Sequence, residues 1–274
     1  MTVQRDAEGR RYVAVDVEVP GTVEEVWQAI ATGPGISSWF LPAAIDGRVG
    51  GEIRMDFGPG MESRSTITAW DPPHRFAAEN RDMGPEAPTQ ATEWMVETRS
   101  GDTCVVRVVH SWFAASDDWD SYFSEVEHGW PTFFRVLSLY LTSFRDEQGV
   151  ATMQLVSTTA EPAAAAWTTL LEALGLSGAA VGARVETAAA LPPLAGVVTW
   201  AGKPEWSEEL LLRLDVPGPG IAHLFAMAMG DRVYNYLRVY LYGADATRHL
   251  GQLEPAWQGL LAQHFPMPEG AAAD

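Results

Sequence analysis

The sequence predicts an α+β protein of two consecutive units, each a curved antiparallel sheet wrapped around a long C-terminal helix, the second a degenerate copy of the first. Three observations carry this. Hydrophobic periodicity in the first half runs strand, two short helices, several short strands and one long helix. The same order returns, eroded, in the second half. The length of 274 residues, with 47% hydrophobic and 20% charged side chains, is enough for two cores of ordinary size. The units are expected at 1–147 and 148–274, joined by RDEQGVA at 145–151.

The first element, YVAVDVEV at 12–19, alternates as a strand does. Pro20-Gly21-Thr22 then opens the amphipathic run VEEVWQAIA, with Thr22 as N-cap and Glu25 as its capping-box partner. Gly33-Pro34-Gly35 is expected to stop that helix, and Ile36–Phe40 to form a second, short one. From Ala44 to Trp112 the period changes to that of an antiparallel meander: GGEIRMDF, SRSTITAW, HRFAAEN, ATEWMVET and DTCVVRVVHSW, parted by Gly, Pro and Asp. Helical spacing returns over 118–145, with Trp130, Phe133, Phe134, Leu137 and Leu141 on one stripe and Arg135, Ser138 and Thr142 off it.

Four segments in this order, VEVPGTVEEVWQAIATGPGISSWF, GGEIRMDF, ITAWDPPHRF and GWPTFFRVLSLYL, make residues 12–144 resemble the START-like (Bet v 1-like, SRPBCC) superfamily, in the branch named for activators of the Hsp90 ATPase. The resemblance implies a helix-grip fold that commonly keeps an internal cavity. Relatives in antibiotic producers include polyketide aromatase/cyclases and self-resistance proteins that capture reactive enediynes. In the second half, TMQLVST precedes a helix PAAAAWTTLLEALGL that places Trp167 much as Trp27 stands in the first, and GVVTWAGKPEW echoes ITAWDPPHRF. LLLRLDV, GIAHLFAMAM and RVYNYLRVYLYG follow as strands, and a closing helix runs from Ala244 to His264. The equivalents of the short second helix and of one early strand are eroded. An unrelated α+β extension is the alternative to a second copy.

Alternation also assigns faces. In the strand at 104–112, Arg107 faces water most cheaply, so Cys104, Val106, Val108, His110 and Trp112 point inward. Thr92, Trp94 and Val96 follow in the neighbouring strand, and Ile53, Met55 and Phe57 follow from the outward Glu52, Arg54 and Asp56. Trp94, His110 and Trp112 opposite Phe133, Phe134, Leu137 and Tyr140 make an aromatic chamber suited to an apolar ligand. Trp39, Phe40, Ile67 and Val108 complete the candidate lining, unless these side chains only fill one another's space as core. His110 is open to three readings: a general base, a hydrogen-bond donor to a ligand, or a satisfied buried histidine. In the strand at 232–242, Tyr234, Tyr236, Arg238, Tyr240 and Tyr242 share one face and Val233, Leu237, Val239 and Leu241 the other. If the tyrosine face looks inward, Tyr236, Arg238 and Tyr240 suit stacking on a polycyclic phenol; if outward, they pack as an amphipathic surface.

The formal charge of −18 repels a phosphate backbone and excludes nucleic acid and anionic membrane as natural partners. A single cysteine, Cys104, excludes an intramolecular disulfide. The six histidines lie scattered, without metal-ligand spacing, and neither a phosphate-binding glycine loop nor a GxSxG elbow is present, so no metal and no cofactor is expected. The start, MTVQRDAEGRRYVAV, lacks the apolar core of a signal peptide, and a reducing cytoplasm is the expected compartment. The partner expected is a hydrophobic small molecule, a polycyclic polyketide-like metabolite, bound without catalysis. A cyclase or aromatase using His110 is the second reading, and a co-chaperone that stimulates an Hsp90 ATPase, as the branch name implies, the third. The oligomeric state is left open.

Overall fold

A computed structural model describes residues 3–6, 10–57, 62–81, 88–112, 120–147, 149–202, 208–229 and 231–266. The chain divides into two compact units, Met1–Arg145 and Asp146–Asp274, and each is a helix-grip unit.

In the first unit β1 (Gln4–Arg5) and β2 (Arg11–Pro20) lead into α1 (Val23–Ala31). The Thr22 side chain accepts from the Glu25 backbone and the Glu25 carboxylate accepts from the Thr22 N–H, so the expected capping box forms. Gly33-Pro34-Gly35 opens a helix and does not merely end one: α2 spans Gly33–Ser37, where the reading placed it at 36–40. Thr32 caps it by accepting from the Gly35 N–H at 3.0 Å, and Pro34 sits in the first turn, where its missing N–H is of no consequence. β3 (Ala43–Ile45), β4 (Glu52–Asp56), β5 (Glu62–Asp71), β6 (Arg75–Asn80), β7 (Gln90–Thr98) and β8 (Thr103–Trp112) follow, then α3 (Asp120–Ser143). The eight strands are ordered β1-β2-β8-β7-β6-β5-β4-β3, antiparallel throughout, and α3 packs across β2.

The second unit repeats this plan with fewer parts. β9 (Val150–Thr159), α4 (Ala163–Leu174), β10 (Arg184–Glu186), β11 (Ala195–Ala201), β12 (Glu208–Val216), β13 (Gly220–Met229), β14 (Arg232–Tyr242) and α5 (Ala246–His264) form a six-stranded sheet ordered β10-β11-β12-β13-β14-β9. That is the order β4-β5-β6-β7-β8-β2 of the first unit, without counterparts of β1, β3 and α2 among the described residues. The duplication reaches into detail: both β5 and β11 shift register just ahead of a tryptophan, Trp70 and Trp200 respectively. α4 and α5 pack on one face of this sheet.

Candidate functional site

Cross-strand register shows which side chains share the helix-facing side of the first sheet. One row runs Val13, His110, Thr92, Ala78, Ile67, and the next Val15, Val108, Trp94, Phe76, Trp70. Toward the end of β8 a polar row follows, Arg11, Trp112, Gln90, Asn80. The opposite face carries cross-strand ion pairs: Arg107 grips Asp16 with two hydrogen bonds of 2.6 Å, Arg75 meets Glu93 and Arg99 meets Glu18. The Arg107 guanidinium holds the Asp16 carboxyl below its ordinary range. Outward charge thus fixes the inward direction of Trp94 and His110, as alternation predicts.

The inward rings make a continuous cluster. Trp94 meets Trp130 edge-on at 5.1 Å and Phe134 at 6.2 Å. Phe40 stacks on Trp130 at 5.4 Å and meets Phe133 edge-on at 4.8 Å, and Trp39 reaches Trp94 at 6.4 Å. The Trp39 indole donates to the Ala29 carbonyl at 2.9 Å, which ties the end of α2 to α1. Trp39, Phe40, Ile67, Trp94, Val108, His110, Trp112, Phe134 and Leu137 are buried, whereas Met55, Phe133 and Tyr140 keep part of their surface. Phe57 is the most exposed of the expected lining residues. It follows the last residue of β4 and is 38% exposed.

His110 is held on both sides. Its ring stacks on Trp130 with centroids 5.6 Å apart, and its Nε2 accepts from the Trp130 indole N–H at 2.7 Å. A neutral imidazole then carries its proton on Nδ1, which lies 3.0 Å from Thr92 Oγ1 and 3.0 Å from the Gln90 side-chain amide. An Nδ1–H in that position donates, so Thr92 Oγ1 accepts and Gln90 serves as a second acceptor when its amide turns the oxygen inward. Burial lowers the His110 pKa to about 4, so the ring is neutral at physiological pH. The sequence reading did not include Trp130, Gln90, Asn80 or Arg11 among site residues. Trp130 was legible from its place three and four residues before Phe133 and Phe134. Arg11, at 5% exposure, had no such signal, since a strand-end arginine ordinarily reads as solvated.

The second unit's helix-facing side differs in kind. Leu155, Leu237, Leu224 and Leu210 form one row, and Met153, Val239, Ala222 and Leu212 the next; they share a core with Leu170, Leu174, Leu253 and Trp257. The aliphatic face of β14 therefore meets the helices, and Tyr236, Arg238 and Tyr240 lie on the other side of the sheet, outside the helix-facing interior. They are nevertheless mostly buried there: Arg238 is 4% and Tyr240 0% exposed. Arg238 donates to Gln154 Oε1 and lies over the rings of Phe225 and Tyr236 at 5.2 and 5.6 Å. Beside them Glu209 and His223, both buried, meet at 3.1 Å. Burial pushes the Tyr240 hydroxyl up to about 12 and pulls the Arg238 guanidinium down.

Among the described residues no group of three or more His, Cys, Asp or Glu side chains is arranged to hold a metal ion, and no helix is long and apolar enough to cross a membrane. Cys104 is buried, with its thiol donating to the Gly21 carbonyl at 3.3 Å.

Residues 20–142 match the family described as Activator of Hsp90 ATPase homolog 1-like protein, so the resemblance read from the sequence is shown for the first unit. No curated protein matches the chain. Among solved structures, CalU16 from Micromonospora echinospora is 20% identical over 52% of this chain and 83% of its own, with a TM-score of 0.41. Two likenesses span both units. The di-domain ARO/CYC BexL from the BE-7585A biosynthetic pathway is 15% identical, covering 94% of this chain and 99% of its own, with a TM-score of 0.45. DynU16, of the dynemicin biosynthetic locus, is 17% identical over 93% and 97%, with a TM-score of 0.42.

Proposed function

We propose that the first unit encloses a hydrophobic, polycyclic small molecule of polyketide type between its sheet and α3, and holds it without chemical change. The observation that carries this reading is the partial exposure of side chains that point inward. Gln90 and Thr92 stand on the central strand β7, on the face that Trp130 and Phe134 of α3 cover, yet both remain partly accessible. Met55 and Phe133, which meets Phe40 and Trp130, are also partly accessible. A close-packed interior leaves inward residues of a central strand no such surface. Rings of Trp94, Trp130, Phe133 and Phe134 suit a flat apolar guest, and the row of Arg11, Gln90 and Asn80 supplies hydrogen bonds at one end, the usual composition of a small-molecule site.

Catalysis through His110 has less support. A general base needs a nitrogen free to take a proton from substrate, and both His110 nitrogens have protein partners. The low pKa, about 4, makes the ring a weak base.

Titration with a panel of hydroxylated anthraquinones, followed by tryptophan fluorescence, tests the proposal. Saturable quenching at micromolar concentration is expected, with Trp94→Ala weakening it by tenfold or more, a loss of about 1.4 kcal/mol. Absence of quenching across the panel overturns the reading. Conversion of a linear poly-β-ketone substrate that vanishes in His110→Gln would replace binding by cyclisation.

A further inference from the structure

The hydrogen bonds around His110 form a relay whose direction is fixed at one end. Nε2 of the ring lies 2.7 Å from the Trp130 indole nitrogen, and an indole N–H can only donate. Nε2 must therefore accept, which excludes both the imidazolium and the tautomer protonated on Nε2. The single ring proton sits on Nδ1, 3.0 Å from Thr92 Oγ1 and 3.0 Å from the Gln90 side-chain amide. Burial, which lowers the His110 pKa to about 4, favours the same neutral form.

The direction then passes outward. Facing an N–H, Gln90 turns its Oε1 toward the ring and its NH₂ group away from it. Thr92 Oγ1 accepts from the same N–H, so its own O–H points elsewhere. Neither side chain has another hydrogen-bond partner among the described residues, and both remain partly accessible on the inner face of β7. Asn80, opposite Gln90 on β6, directs its amide to Ser63 Oγ at 3.1 Å and stands outside this relay. Arg11, at the β2 end of the row that holds Gln90, is a donor by chemistry.

We propose, resting on the enclosure described above, that this relay makes Gln90 and Thr92 a pair of donors, so that the guest of the first unit presents a carbonyl oxygen to them, as an aryl ketone or a quinone does. A guest whose only polar group there is an N–H sets donor against donor and leaves both unpaired, which costs affinity. His110 is a positioning residue in this scheme. It exchanges no proton with the guest and sets the orientation of the two groups that meet it.

Three tricyclic probes of one shape test it: 9-fluorenone, which carries an acceptor only, fluorene, which carries neither, and carbazole, which carries a donor only. In equilibrium dialysis against the full-length protein at pH 7, fluorenone should bind about tenfold more tightly than fluorene, and carbazole no more tightly than fluorene. Gln90→Leu and Thr92→Val should each reduce the advantage of fluorenone over fluorene several-fold. Long-range ¹H–¹⁵N correlation spectra of the labelled wild type should place the His110 proton on Nδ1, a readout that needs neither variant nor guest. A proton on Nε2 overturns the proposal, as does carbazole as the preferred probe or an advantage unaltered in both variants. Equal affinity for all three probes ends this proposal and leaves the enclosure standing, whereas binding of none of them ends the enclosure and the proposal together.

Discussion

The two units share a strand order but fill the space between sheet and helix differently. In the first, the helix-facing side holds indoles, a histidine and a polar end row, and some of its inward side chains keep accessible surface. In the second, the same side is rows of mainly aliphatic side chains closed by α4 and α5, interrupted among the described residues along the row Ser157, Asn235, Ala226, Glu208. A repeated backbone thus constrains topology and leaves the interior free to diverge.

That contrast can be broken by mutation. The largest effect is expected from Leu237→Ala. Leu237 is 0% exposed at the centre of the aliphatic core, and its truncation should cost about 2–5 kcal/mol, measured by urea denaturation monitored through hydrogen exchange of second-unit amides. A loss below about 1 kcal/mol would mean the second interior is as loosely filled as the first is proposed to be.

Next in size is a pH effect confined to the first unit. The His110 pKa of about 4 in the folded chain lies below the roughly 6.5 of an unfolded histidine. As pH falls the unfolded state takes up the proton first, so this contribution to stability is complete above about pH 6.5 and is lost progressively toward pH 4. The loss amounts to roughly 3 kcal/mol, since each pKa unit is worth about 1.4 kcal/mol. Denaturation of wild type and His110→Gln at pH 7 and 4.5 isolates it, because carboxylate titration is common to both; parallel pH slopes would show that His110 is not held neutral.

A smaller change is expected for Trp130→Phe. It keeps the ring stacking on His110 but removes the N–H that His110 Nε2 accepts, and an unpaired buried acceptor costs about 1–3 kcal/mol. Chemical denaturation at pH 7 reads this directly, and no change would mean that Nε2 finds another donor. The smallest belongs to the outward face. Arg107→Gln removes the exposed bridge to Asp16, and less than about 1 kcal/mol should be lost, decreasing further with added salt.

Where a strand has one charged face, sequence alternation was enough to orient it. Arg107 and Glu93 pointed outward and brought His110 and Trp94 in. β14 had no such guide, because one of its faces mixes Arg238 with tyrosines that are at home in either setting, and only the position of α4 and α5 decided that Leu237 and Val239 face the helices. Ser111 illustrates the same limit: it lies on the outward side of β8 and is still buried, at 5%.

Periodicity and capping residues by themselves determined most of the element order and the inward direction of Trp94 and His110, because these depend on contacts between neighbours a few residues apart or on opposite faces of one strand. The tertiary structure alone decided the partners of His110 and the burial of Arg11. Each of those depends on where a helix or strand remote in sequence comes to rest, and a hydrogen bond is decided by distances of a few tenths of an ångström that no local pattern encodes.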